Sequence, residues 1–302
     1  MDSEKSFLSF YFLDAEKYNL EEKILIISLP ISVLGCIGNS VILWILCCRI
    51  RIKLNLYFVC VAAANNIVDF SIIAKYVMFF RPVSFSLMYH RVLHVLHLST
   101  DQASFFIFTA IAAERWCIHF FPVWYRRFRP INFSAMVSFS LWGFTSLVSI
   151  VNHYLCSPTI EVHFKDIEKC TSSTIILIIT QLIFIPSMIF FSLGIMIRIH
   201  MRQEEVSPMR LDVTIVATVL LFLMLTVPFH IARILLYWVD SIDGYILGSL
   251  NTLLESVSSS ISPFIYLIVG CWKKPKMETP FVFLEIALSD KTTMLIKTQT
   301  ET

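Results

Sequence analysis

The chain has 302 residues, of which 57% are hydrophobic and only 15% charged, and its formal net charge is +2. That balance belongs to a membrane protein rather than a soluble globular one. So small a charge gives nucleic acid no reason to bind, and there is no long polar half to fold as a separate domain.

A helix crossing the roughly 30 Å hydrocarbon core needs about 20 mostly apolar residues. Seven blocks have that length, at 24–48, 56–80, 92–120, 133–155, 174–197, 213–239 and 245–269. The fold class expected is therefore all-α, an integral membrane bundle of seven transmembrane helices. An extracellular segment 1–23 precedes the bundle at 24–270, and a cytoplasmic tail 271–302 follows it. Seven spans put the termini on opposite sides. With the amino terminus outside, the inner loops carry Arg49, Arg51, Lys53, Arg115, Arg126, Arg127, Arg129, Arg198, Arg202 and Arg210, against Arg81, Arg91, Lys165 and Lys169 outside, so the positive-inside tendency favours that orientation.

Ionisable and polar residues at bilayer depth are costly, so they face the bundle interior and mark function. In the first helix Asn39 follows Gly35 and Gly38, small residues that allow close helix approach. In the second, Asp69 lies mid-helix with Asn65 and Asn66. A carboxylate there can hold a monovalent cation, sodium being the natural one, with hydroxyls from Ser104, Ser258 or Ser262. A network of side chains and water is the equal alternative. In the third, His90, His94, His97 and Asp101 recur at steps of four, three and four and so share a face. That face can line a ligand cavity, whereas a metal site there lacks a fourth ligand.

Cys156 and Cys170 flank the second outer loop, in the oxidising compartment. They can form a disulfide, with two free thiols as the alternative. Pro186, Pro228 and Pro263 fall inside the last three helices, where each removes a backbone donor and can bend its helix into a hinge. Arg233 and Tyr237 in the sixth helix and Glu255 in the seventh complete the ligand-facing candidates with His97 and Asp101. Opposite charges among Lys75, Asp101, Arg233 and Glu255 are available to neutralise one another. Beyond the seventh helix, the apolar patch 281–288 can lie as an amphipathic helix on inner-leaflet lipid, although Pro275 and Pro280 weaken that reading.

Several of these positions make a recognisable set. Gly38-Asn39, Asp69, Glu114-Arg115-Trp116, Trp142, Pro186, Pro228 and Ser262-Pro263-Phe264-Ile265-Tyr266 fall in the order and helices of the landmarks of rhodopsin-like G-protein-coupled receptors. The stretches ERWCIHFFPVWYRRFRP, from Glu114 to Pro130, and SSSISPFIYLIVG, from Ser258 to Gly270, resemble more specifically the Mas-related receptors.

That resemblance implies a plasma-membrane receptor, not an enzyme, that binds an extracellular ligand of peptide or other small-molecule type among the outer halves of helices 3, 5, 6 and 7. It would activate heterotrimeric G proteins, with arrestin as a further partner, and would act as an orphan-type receptor with a role in sensory neurons. Glu114 is implied to hold Arg115 at rest, Arg115 to meet the G protein, and Tyr266 to move inward on activation. The Cys156–Cys170 bridge is implied to replace the common link from the top of helix 3, whose position is His90 here. Asp-Arg-Tyr has become Glu-Arg-Trp, Ser262 replaces an asparagine, and Thr226 stands where a helix 6 tryptophan is usual. His97 stands where amine receptors carry an aspartate, and Asn152 and Thr174 where some relatives hold acids for cationic peptides. The rival readings are a transporter using the charged residues as a path, which the lack of an internal repeat disfavours, and a receptor-shaped protein without signalling output.

Overall fold

The computed structural model describes residues 2–48, 55–80, 87–130, 132–156, 164–202, 210–238 and 244–271, together with 282 and 284. Seven long helices account for the seven predicted blocks: α1 (Asp2–Cys48), α2 (Asn55–Phe80), α3 (Leu87–Phe120), α5 (Phe133–Cys156), α6 (Phe164–Arg202), α7 (Arg210–Trp238) and α8 (Gly244–Cys271). An eighth, short helix, α4 (Pro122–Phe128), lies between α3 and α5. Pro122 at its first turn has the fixed φ suited to starting a helix. Sequence periodicity did not announce this element, because seven residues are too few to display a period.

Two helices outrun their expected starts. The first block begins at residue 24 but α1 reaches back to Asp2, and α6 begins at Phe164, ten residues before the apolar block. Pro30, Pro186, Pro228 and Pro263 all lie inside continuous helices. Of the tail, only Val282 and Leu284 are described; Leu284 is buried against the main core.

The helices close into a ring around α3. α1 packs on α2 and α8, α7 joins α6 to α8, and α3 touches α2, α5, α6 and α7. This position explains why α3 is the least apolar of the long inner helices. It buries Ser99, Thr100, Gln102, Ser104, Thr109, Glu114 and Arg115. Among the described residues, and by length and composition alone, five helices are apolar enough to cross a membrane; the polar α3 is not among them, and α7 shows the shorter apolar run Leu211–Leu225. Large side chains such as Leu34, Ile37, Phe70, Phe139, Leu147, Ile183 and Ile268 point outward. An outside this greasy around an inside this polar is the inversion that lipid solvent requires.

Between α3, α6 and α7 the core is aromatic. Phe105 stacks on Phe222 at 5.7 Å and 17°, Phe108 sits 5.5 Å from the same ring, and Phe106 lies 4.1 Å from Phe184. Offset and tilted pairs of this kind add about 0.5–1.5 kcal/mol each beyond area burial.

Candidate functional site: a polar column through the bundle

Three polar layers cross the apolar interior. The outermost joins α2, α3 and α8. His97 Nε2 donates to Glu255 Oε2 at 2.8 Å, and both side chains are buried. Asn251 Nδ2 donates to the other carboxylate oxygen at 2.5 Å, and His97 Nδ1 lies 2.5 Å from Ser71 Oγ. The Ser71 hydroxyl also donates to the Val68 carbonyl at 2.7 Å, which fixes its direction. Thus His97 and Glu255, singled out separately from sequence, form one link, and Ser71 and Asn251 complete it. Asp101 is half-buried one turn deeper on α3. Arg233 and Tyr237 lie on α7, but their side chains, like those of Cys156 at the end of α5 and Cys170 in α6, lie outside the described residues.

The middle layer centres on Asp69. Ser259 Oγ donates to its Oδ1 at 2.5 Å and Ser260 Oγ at 3.3 Å, while Asn39 Nδ2 donates to the Ser259 carbonyl at 3.1 Å and to Asp69 Oδ2 at 3.5 Å. Gly35 makes room for this cluster. A Cβ there would stand 2.2 Å from Ser260 Oγ and 2.3 Å from Asp69 Oδ2. Ser104, grouped with Asp69 in the sequence reading, donates to Asn65 Oδ1 at 3.1 Å. Ser262 is buried on α8, one residue before Pro263. The hydroxyls on Asp69 are those of Ser259 and Ser260, a choice among five nearby serines that depends on helical phase and tilt.

The innermost layer holds the Glu-Arg-Trp residues. Across the bundle from Arg115 stands Asp212, in the first turn of α7, with Nη1 3.6 Å from Oδ1, an acid additional to the neighbouring Glu114 that the resemblance implied. His119, one turn along α3, brings Nε2 to 2.9 Å from Asp212 Oδ2. Glu114 reaches α4. Its Oε1 accepts from Tyr125 Oη and from Arg129 Nε, the latter at 2.7 Å, and Arg129 Nη2 also donates to Ser134 Oγ at 2.6 Å. Burial, and then the neighbouring Glu114 carboxylate, pushes the Tyr125 phenol well above its usual range. Trp116 stacks on Phe120 at 5.1 Å and packs against Phe190 and Phe191 of α6, where Gly194 lets the indole approach the backbone. Tyr266 is buried, edge-on to Phe58 at 6.2 Å.

A bundle of seven long helices with a polar column through it, and an arginine near the C-terminal end of the third helix paired to the sixth, is the build of a rhodopsin-like G-protein-coupled receptor. No protein-family model matches the chain. Curated relatives do. Rat proto-oncogene Mas is 28% identical over 273 residues, 87% of this chain and 82% of its own. Human Mas-related G-protein coupled receptor member X1 is 29% identical over 252 residues, 81% and 76% of the two chains, and mouse member D is 29% identical over 256 residues, 81% and 78%. These matches, at 28–29% identity over most of the chain, support a Mas-related G-protein-coupled receptor, a multi-pass membrane protein of the class that works between an extracellular ligand and a G protein.

Proposed function

We propose that this receptor is a two-position switch in which a ligand entering the outer half of the bundle acts on the His97–Glu255 link, and the inner ends of α3 and α7 then part so that Arg115 can meet the G protein. The observation that carries this reading is the Arg115–Asp212–His119 contact. Arg115 and Asp212 are buried and His119 is nearly so, and the two ion-pair distances to Asp212 are 3.6 Å from Arg115 Nη1 and 2.9 Å from His119 Nε2. An ion pair that spans α3 and α7 at 3.6 Å lasts only while those helices keep their spacing, so parting their ends trades it for other contacts. The aromatic stack of Phe105 and Phe222 joins the same two helices halfway up, in place of the indole missing at Thr226, and offers a route by which outer movement reaches the inner ends.

The amino terminus faces outward at the plasma membrane, an orientation supported by the excess of arginine and lysine on the inner loops. Threonines 292, 293, 298, 300 and 302 give the tail acceptors for phosphorylation and hence for arrestin, and its apolar patch gives it a surface for inner-leaflet lipid. The Asp69 cluster is a candidate sodium site in the resting state. Its oxygens are hard ligands, and Asn39 Oδ1 is buried there without a hydrogen-bond partner.

The test is guanine-nucleotide exchange on purified heterotrimeric G protein by the receptor in nanodiscs, with ion flux measured on the same preparation in liposomes. Exchange that disappears in Arg115→Ala supports the receptor reading. Exchange indifferent to that change, together with a charge-dependent flux, would establish the transporter alternative instead.

A further inference from the structure

The short helix α4 has two faces of different character. Tyr125, and Arg129 at its C-cap, turn inward and hold the helix to Glu114 of α3. Val123, Trp124, Arg127 and Phe128 fall at the spacing of one helical face and all are exposed, Val123 by 78%, Trp124 by 58% and Phe128 by 60%. The rings of Trp124 and Phe128 meet at 6.1 Å, and the Arg127 guanidinium carbon stands 5.8 Å from the Phe128 centroid. That ring is its neighbour; no carboxylate or hydrogen-bond acceptor among the described residues holds Arg127. The chain on either side is exposed and apolar too, with Phe120 and Phe121 before α4 and Met136 and Phe139 of α5 after it. Water is a poor cover for so much adjoining apolar surface.

We propose that this face of α4 lies in the headgroup layer of the inner leaflet, where Val123, Trp124 and Phe128 meet the acyl boundary and Arg127 receives the phosphate of an anionic phospholipid. Tryptophan favours that depth because its ring is apolar and its N–H polar. An arginine lays its stem along apolar surface and keeps its head in the polar layer. Contact with the face of Phe128 leaves the in-plane N–H donors of the guanidinium for phosphate, which they match two at a time. The seven residues of α4 include two arginines and no acid, the charge that an anionic leaflet attracts. A protein partner could cover the same face, but would leave it bare to water on each departure, whereas the bilayer is always at hand. Naming the inner leaflet rests on the orientation in the receptor reading; the contact between α4 and anionic lipid does not.

The test is fluorescence quenching of the full-length receptor in phosphatidylcholine nanodiscs. One set of discs contains a small fraction of phosphatidylserine brominated on its acyl chains, the other the same fraction of brominated phosphatidylcholine. Subtracting the signal of Trp124→Phe from that of wild type isolates Trp124, and both leaflets carry the same lipids, so orientation does not enter. Trp124 should be quenched by both lipids, and about fivefold more effectively by the serine lipid, the preference expected of one basic side chain near anionic headgroups. Arg127→Gln should bring the two lipids level, and Arg127→Lys should keep most of the difference. Trp124 left unquenched by either lipid would overturn the proposal; if its emission then shifted on adding G protein, the face would belong to a protein partner. Equal quenching by the two lipids, or a preference untouched by Arg127→Gln in a receptor that unfolds at the wild-type temperature, would overturn it as well. Lipid-selective quenching in a receptor that catalyses no nucleotide exchange would leave the lipid contact standing and sink the receptor switch; exchange that depends on Arg115 with Trp124 unquenched would do the reverse.

Discussion

Replacing Glu255 with leucine removes the partner of buried His97 Nε2 at 2.8 Å and of half-buried Asn251 Nδ2 at 2.5 Å. With the imidazole protonated, opposite unit charges at 2.8 Å and an effective dielectric near 20 attract by about 6 kcal/mol before desolvation is subtracted, and with it neutral only a hydrogen bond is at stake. Measured polar couplings inside membranes are far smaller, averaging about 0.6 and reaching about 1.7 kcal/mol, because the unfolded helices also find partners in lipid. The His97–Glu255 pair is short and buried and belongs to a four-residue network, so a coupling near the top of that range, about 1–2 kcal/mol, is expected. A double-mutant cycle with His97→Leu and Glu255→Leu, read by equilibrium unfolding in mixed micelles, measures it. The single variants should each lose more than the double variant's share, since each leaves a buried polar group unpaired. Strict additivity, with a coupling under about 0.3 kcal/mol, would refute the claim that these two residues form one link.

Gly35→Ala should destabilise the receptor and abolish any sodium dependence of its unfolding, because the new methyl would press on both Ser260 Oγ and Asp69 Oδ2; unfolding scans with and without sodium check this. Phe222→Ala should cost about 3–5 kcal/mol of stability, and should uncouple ligand response from nucleotide exchange more than Phe184→Ala does. Tyr125→Phe should cost about 1.5–3 kcal/mol by removing a hydrogen bond to the Glu114 carboxylate. The Tyr125 proton is held more tightly in the folded state than in the unfolded one. Its stabilisation is therefore fully present below the ordinary phenol value near pH 10 and lost only as pH rises through the raised folded value. The difference between wild type and Tyr125→Phe should accordingly stay constant from about pH 6 to pH 10, and a difference that fades in that window would contradict the assignment.

The seven helices were legible because bilayer thickness imposes a block length that composition alone reveals. The short α4 was not legible, although Pro122 and the spacing of Trp124 and Phe128, whose rings meet at 6.1 Å, are its local signal. Among site residues, His97 and Glu255 stood out as ionisable groups at depth, but their pairing depends on how α3 and α8 face each other. Asp212 was overlooked for a different reason. An acid in the first turn of a helix reads as an ordinary partner for the helix dipole, and only the packed bundle turns it toward Arg115 and His119. The serine run from Ser258 to Ser262 offered several candidates for Asp69, and a rotation of one residue, about 100° on a helix, decides between them. Ser259 and Ser260 are the ones that arrive.

The most direct measurement is basal nucleotide exchange by the reconstituted receptor carrying Asp212→Asn, set against the same variant with Arg115→Ala. Removing the acid releases both Arg115, 3.6 Å away, and His119, 2.9 Å away. If that contact holds the resting state by about 1–2 kcal/mol, exchange should rise about 5–30-fold in Asp212→Asn and fall to background when Arg115 is also removed. Exchange unchanged or lowered in a well-folded Asp212→Asn receptor would contradict the switch.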